Sequence, residues 1–94
     1  MRYVLFYESA ENMLPLAREH FPAHQARWQA FVDRGDILGI GPFGDAQNEG
    51  SMAIFTSREA AEDFAAGDPF VLEGVVSRWY LREWRDALAP DSGA

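Results

Sequence analysis

The chain has 94 residues, 48% of them hydrophobic, and its fifteen acidic residues against eight basic ones leave a formal net charge of −7. That is enough chain for one core and too little for two, and the absence of cysteine rules out disulfides, thiolate metal sites and a cysteine nucleophile. The acidic balance repels a phosphate backbone, and the arginines are scattered rather than gathered into a stripe, so nucleic acid is not an expected partner.

Residues 2–7 (RYVLFY) are β-branched and aromatic and predict a first strand. After a polar break over 8–12, residues 13–34 turn to a helical pattern that contains Pro22. A proline inside a helix loses a hydrogen bond and crowds the preceding turn. The main helix is therefore predicted over 22–34, with Pro22 at its first position, a looser turn before it and Gly35 at its end. Within it His24, Trp28, Phe31 and Val32 fall at i, i+4, i+7 and i+8, on one face, which must be the buried one.

Residues 37–41 (ILGIG) predict a second strand, 42–50 (PFGDAQNEG) a loop dense in turn formers, and 51–55 a third strand. Thr56, with Glu59 three residues later, has the form of a capping box and opens a second helix that runs to Ala66 and stops at Gly67. Residues 75–84 (VVSRWYLREW) alternate as a last strand does, with Val75, Trp79 and Leu81 on one face and Arg78, Tyr80, Arg82 and Trp84 on the other. The domain is expected to occupy residues 1–86, and the small, polar tail over 87–94 to lack fixed structure.

The order β-α-β-β-α-β predicts an α+β, ferredoxin-like antiparallel sheet with both helices on one face. Tyr3, Leu5 and Tyr7 point to one side of the first strand and Val4 and Phe6 to the other, so the sheet is apolar on both faces. Two helices cannot cover both. Either a second copy lies sheet to sheet over the open face, giving a homodimer with Tyr80 and Trp84 near the interface or pocket, or the 42–50 loop and the tail fold over it. No apolar run approaches the roughly 20 residues that span a bilayer, and the N-terminus lacks a signal-peptide pattern. A cytoplasmic protein without membrane contact is the expectation.

Chemistry must come from carboxylates, hydroxyls, arginine and two histidines. His24 sits in the first turn of the predicted helix, where the positive end of the macrodipole disfavours a second positive charge and leaves an imidazole able to act as a base. The alternative is a histidine that fills core space and donates one bond to a backbone carbonyl. His20, ahead of that helix, reads as a solvated loop residue. In GDPFVLEG, residues 67–74, Asp68 stands directly before Pro69, which suits a helix cap followed by a first-position proline. Capping alone explains Asp68, yet a capping aspartate keeps spare acceptor capacity and could hold a histidine.

Other constellations fail. Pro22 between His20 and His24 breaks the spacing a metal would need, and no third ligand is suggested. Gly39, Gly41 and Gly44 lack the lysine and following helix of a phosphate loop, and Glu59, Glu62 and Asp63 read as a solvated helix face. Neither metal nor cofactor is expected.

The segments FPAHQARWQAFVDRGDILGIGPFG (21–44) and EAAEDFAAGDPFVLEGV (59–75) resemble the YCII-related (YciI-like) family of small bacterial proteins. The signature is a proline-led helix with histidine two residues later, the Gly41–Pro42 strand end, and the Asp68–Pro69–Phe70 step. The resemblance implies a dimeric α+β barrel related to the ferredoxin-like fold, and a pocket in which His24 and Asp68 form a catalytic dyad. It also implies kinship with lyases that eliminate halide from chlorinated hydroxyquinones. Gly50 and Ser51 match a glycine-serine step of some relatives, making Ser51 a pocket hydroxyl. The chain departs at Phe21, where many relatives have an arginine, so the anion contact of that side chain is not carried over. Its 42–50 loop is also shorter than in some relatives, which opens the pocket.

Two functions follow. In the first, Asp68 orients His24, which removes a proton from a hydroxylated aromatic or carbonyl compound while a leaving group departs, and Tyr7, Ser51 and Phe70 line the pocket. In the second, the chain is a non-catalytic dimeric ligand-binding or accessory module, with Asp68 a cap and His24 core.

Overall fold

The structure, a computed structural model, describes residues 1–90. Strand β1 (Arg2–Ser9) leads into helix α1 (Leu14–Asp33) and strand β2 (Ile37–Pro42). A short helix α2 (Ala46–Glu49), strand β3 (Ser51–Phe55), helix α3 (Arg58–Gly67), a one-turn helix α4 (Pro69–Leu72) and strand β4 (Val76–Trp84) complete the chain order. The strands form one sheet in the order β2-β3-β1-β4, and every pairing is antiparallel. This is the ferredoxin-like arrangement. Among the described residues, no helix is long and apolar enough to cross a membrane.

The largest departure from expectation is α1, a continuous helix of 20 residues with Pro22 inside it. The start is taken by Pro15, which occupies the first turn, where a missing N–H costs nothing. Pro22 is tolerated because it and Arg18, whose carbonyl loses its partner, are both exposed, and water can donate to that carbonyl in the helix's place. His20 therefore belongs to the helix, and His24 lies in its middle rather than its first turn. The helix macrodipole therefore does not hold His24 neutral, since its effect fades within one turn.

The end of α1 follows expectation. Gly35, at φ +82°, lets its N–H donate to Val32 O and the Asp36 N–H donate to Phe31 O, both at 2.9 Å, the double closure that a left-handed residue permits. Helix α3 is capped one residue later than the Thr56–Glu59 pattern predicts: Ser57 Oγ accepts from the Ala60 N–H at 3.1 Å. Thr56 remains tied to the strands, its N–H donating to Asp36 O at 3.0 Å. The 42–50 loop holds α2, anchored to the end of β1 by Ser9 Oγ donating to Ala46 O at 2.6 Å.

Register places Tyr3, Leu5 and Tyr7 beside Phe55, Ala53 and Ser51 of β3 and beside Glu83, Leu81 and Trp79 of β4. This face meets the helices. Leu5, Tyr7, Phe55, Phe31 and Phe64 are all buried there, and Phe64 meets Phe31 edge-on at 5.2 Å and Phe55 at 5.6 Å. Two irregularities escape simple alternation. One sits between Ile37 and Gly39, leaving Leu38 51% exposed, and another between Glu8 and Ser9 brings Val76 into the core. Such bulges shift the facing of every residue beyond them.

The opposite face carries Phe6, Met52, Ile54 and Tyr80, all half-buried, and Trp84, 43% exposed. Of the terminal segment expected to lack fixed structure, residues 87–90 form a turn in which the Ala89 N–H donates to Asp86 O at 3.0 Å and Ala89 is buried. Residues 91–94 lie outside the described residues.

Candidate active site

Three elements converge beneath α1. From its middle, His24 points toward the sheet; from the α3–α4 junction comes Asp68; from β1 comes Tyr7. His24 Nδ1 and Asp68 Oδ1 are 2.8 Å apart, and Asp68 is wholly buried with His24 8% exposed. The two positions are 44 apart in sequence, and the structure brings them into direct contact.

The local chain explains why. Gly67 ends α3 and Pro69 begins α4, so Asp68 occupies the cap between them in an extended conformation. Its Oδ1 accepts from the Phe70 N–H at 3.2 Å while also meeting His24. Cap and histidine holder are thus the same carboxylate, and the two readings of Asp68 are compatible at the level of geometry. Oδ2 accepts from the Tyr7 hydroxyl at 2.6 Å. The Phe70 N–H and the Tyr7 hydroxyl both donate to this side chain, as they do to a carboxylate, which only accepts. Nδ1 must therefore carry the proton in the neutral ring, and Nε2 keeps the lone pair.

Tyr7 was expected to line the pocket for a substrate. It does line the cavity, but its hydroxyl is committed to Asp68. Burial raises the phenol above its usual range, the Asp68 charge and hydrogen bond act in the same direction, and Arg27 opposes them. Tyr7 therefore remains a donor throughout the neutral range. Phe70 lies flat on the imidazole, ring centroids 3.7 Å apart and planes at 5°, which blocks one face of the ring and restricts its rotation. Phe21 closes the near side at 6.1 Å from His24.

Above His24 opens a cavity of about 370 Å³. Trp28, Ile40, Ala53 and Phe64 supply apolar wall. Ser51, opposite Tyr7 in register, lines it too, and no other protein group hydrogen-bonds to its hydroxyl among the described residues. At Gly50, φ +75°, a Cβ would run into the Tyr7 carbonyl oxygen. Only glycine lets β3 begin this close to β1.

Arg27 is a contributor that the sequence did not reveal. Its Nε donates to Phe64 O at 3.1 Å and its Nη2 to Asp63 O at 2.8 Å, satisfying end carbonyls of α3 just ahead of Asp68. The guanidinium fills the space a side chain at Gly67 would need, so the helix end, Gly67 and Asp68 are held as a unit. The available signal was position: Arg27 lies three residues after His24, one of the spacings that share a helix face. His20 does not reach the cavity; its Nε2 lies 3.4 Å from Glu19. Glu59, Glu62 and Asp63 are exposed on α3. No group of three metal-ligating side chains occurs among the described residues.

Comparisons with known proteins agree with this architecture. A family model, the YCII-related domain, matches residues 1–85. The chain is 36% identical to Protein YciI of Escherichia coli O6:H1 and of Shigella flexneri, over 90% of this chain and 97% of each of those. In fold it is similar to 5-chloro-2-hydroxyhydroquinone dehydrochlorinase from Burkholderia phenoliruptrix AC1100, solved in complex with 2,5-dihydroxybenzoquinone. The TM-score is 0.72 at 20% identity, covering 89% of this chain and 93% of that one. With the match running from β1 through β4 and the curated relatives spanned almost end to end, this chain belongs to the YCII-related family.

Proposed function

We propose that the protein is a small-molecule enzyme working by general acid–base chemistry, with His24 as the base and Asp68 as the group that orients it. The observation that carries this reading is the buried 2.8 Å contact between His24 and Asp68 at the wall of an apolar cavity. Asp68 fixes the proton on Nδ1, so Nε2 is the nitrogen available to a cavity occupant. Nε2 takes a proton from a hydroxyl or an acidic carbon; the electron pair left behind moves into the ring or carbonyl system; a leaving group departs as its anion. The proton on His24 then returns to solvent or product. A base placed in this way contributes about 10² to 10⁴ in rate, which suits an activated substrate such as a hydroxylated aromatic or a carbonyl compound. The dehydrochlorinase of similar fold, bound to a dihydroxybenzoquinone, supports an elimination of this kind, and Ser51 and Phe70 supply a hydroxyl and a flat ring beside the base.

The working form is a homodimer packed sheet to sheet. Support comes from the half-buried Phe6, Met52, Ile54 and Tyr80 on the side of the sheet away from the helices, since a contiguous exposed apolar patch is uncommon on a monomer. A twofold contact would put Tyr80 and Trp84 of both copies together.

A second reading has its own observation: Asp68 accepts from Phe70 N and from Tyr7 as well as from His24, which is what a purely structural carboxylate in a non-catalytic module would do. His24→Ala separates the two. Chloride release from a chlorinated hydroxyhydroquinone should fall by at least about 10²-fold while the thermal unfolding transition survives. Undiminished release from the folded variant would leave only the second reading.

A further inference from the structure

The lining of the cavity holds no lysine, arginine, aspartate or glutamate among the described residues. Its ionisable groups are His24 and Tyr7, and both are tied to the buried Asp68 carboxylate. The guanidinium that acts on this cluster, Arg27, faces elsewhere: it donates to the carbonyls of Phe64 and Asp63 and rests on the Phe31 and Phe64 rings at 5.1 and 5.7 Å. Any positive charge that His24 acquires is balanced at 2.8 Å by Asp68. Polar side-chain atoms of the lining left without a protein partner among the described residues are His24 Nε2, the Ser51 hydroxyl and the Trp28 indole N–H, none of them a fixed positive charge, and most of the remaining wall is aromatic or aliphatic, with the Phe70 ring stacked on the imidazole.

We propose that the cavity selects an uncharged, ring-sized ligand that offers a hydroxyl or amide to His24 Nε2 and Ser51, and that it rejects carboxylate-bearing ligands of the same shape. This rests on the site described above and adds the charge of its ligand class. An ionised carboxylate entering the cavity loses water along its length and meets no free cation, while the Asp68 charge repels it. Burial of an unpaired charge is among the most costly steps in binding. A neutral ring keeps its hydrogen bonds at the polar spots and gives its faces to Phe70 and Trp28, as cavity sites of this size commonly require.

The test uses three small probes that do not react: phenol, benzamide and benzoate, the last two nearly isosteric and differing in charge at pH 7. Each is titrated into the protein, and binding is followed by the NMR signals of the His24 imidazole and Trp28 indole. Phenol and benzamide should shift both signals saturably, and benzoate should bind about tenfold more weakly than benzamide, or worse. Ala17 lines the same cavity and sits seven residues before His24, on its side of α1. In Ala17→Lys, benzoate should gain about tenfold while benzamide changes by less than about threefold.

Benzoate binding as tightly as benzamide to the native protein would overturn the proposal, and so would the lack of a saturable shift from either neutral probe. A folded Ala17→Lys protein with no gain for benzoate would overturn the electrostatic cause. If that variant does not fold, the native comparison still decides. Because no probe turns over, the result is separate from the catalytic reading. Turnover that survived His24→Ala would end the acid–base role without touching this selectivity.

Discussion

The two faces of the sheet carry similar residue types in different states. On the helix side, His24, Asp68 and Arg27 are buried or half-buried, and each is fixed by hydrogen bonds of 2.6 to 3.2 Å. On the far side, the Arg78 and Arg82 guanidiniums lie over the Tyr80 ring at 4.8 and 5.6 Å, with Phe6 stacked on Tyr80 at 5.2 Å. Both arginines there are exposed. The difference teaches where specificity can reside: a buried polar group must have a set geometry or it costs stability, whereas a solvated arginine on a ring can slide with little loss. One face holds its polar side chains still, and the other leaves its arginines solvated.

Substitutions sharpen the contrast, beginning with the largest effect. Phe64→Ala removes a wholly buried ring that touches Phe31, Phe55 and His24 and should cost about 3–5 kcal/mol in urea unfolding. A cost below about 1 kcal/mol would mean the helix-side core is not packed as described.

The next effect is on pH dependence. Tyr7 is raised above the free value of 10.0, so above that pH the unfolded chain releases a proton that the folded chain keeps. The Tyr7 contribution is fully present below pH 10 and is lost as pH rises beyond it, at about 1.4 kcal/mol per pH unit. Tyr7→Phe should remove that part of the alkaline slope; an unchanged slope between pH 10 and 11.5 would show that the phenol is not buried against Asp68. The smallest effect belongs to the far face. Arg78→Ala loses an exposed ion pair with Glu8 at 3.1 Å and one ring contact, and should change monomer stability by less than about 1 kcal/mol. A larger loss would erase the contrast between the faces.

Much of this was legible in the sequence. Alternation grouped Leu5 with Tyr3 and Tyr7 in β1 and Trp79 with Leu81 in β4, though not which face meets the helices, and the Gly67–Asp68–Pro69 step identified a cap. What stayed hidden depended on competition or on distance. Pro15 and Pro22 both offer a helix start, and only the solvent exposure of Pro22 shows that the second can be absorbed. Thr56 and Ser57 both offer a cap; the Asp36 carbonyl holds the Thr56 N–H just past the end of β3, and Ser57 takes the cap. Bulges at Leu38 and Ser9 obey no local rule. At the site, a tyrosine on the inward side of an apolar strand signals a buried hydroxyl in need of a partner, but which partner is settled by the third dimension. Arg27 showed the same gap, because its acceptors are backbone carbonyls, which every residue has.

The proposed chemistry depends on the state of one imidazole, and nitrogen-15 NMR of His24 reads it directly. In the neutral ring, the predicted signal is a proton bonded to Nδ1, shifted far downfield by its hydrogen bond to Asp68, with Nε2 unprotonated; in Asp68→Asn that downfield proton should be lost. A ring that carries its proton on Nε2, or a signal indifferent to Asp68→Asn, would contradict the claim that this carboxylate holds His24 ready as a base.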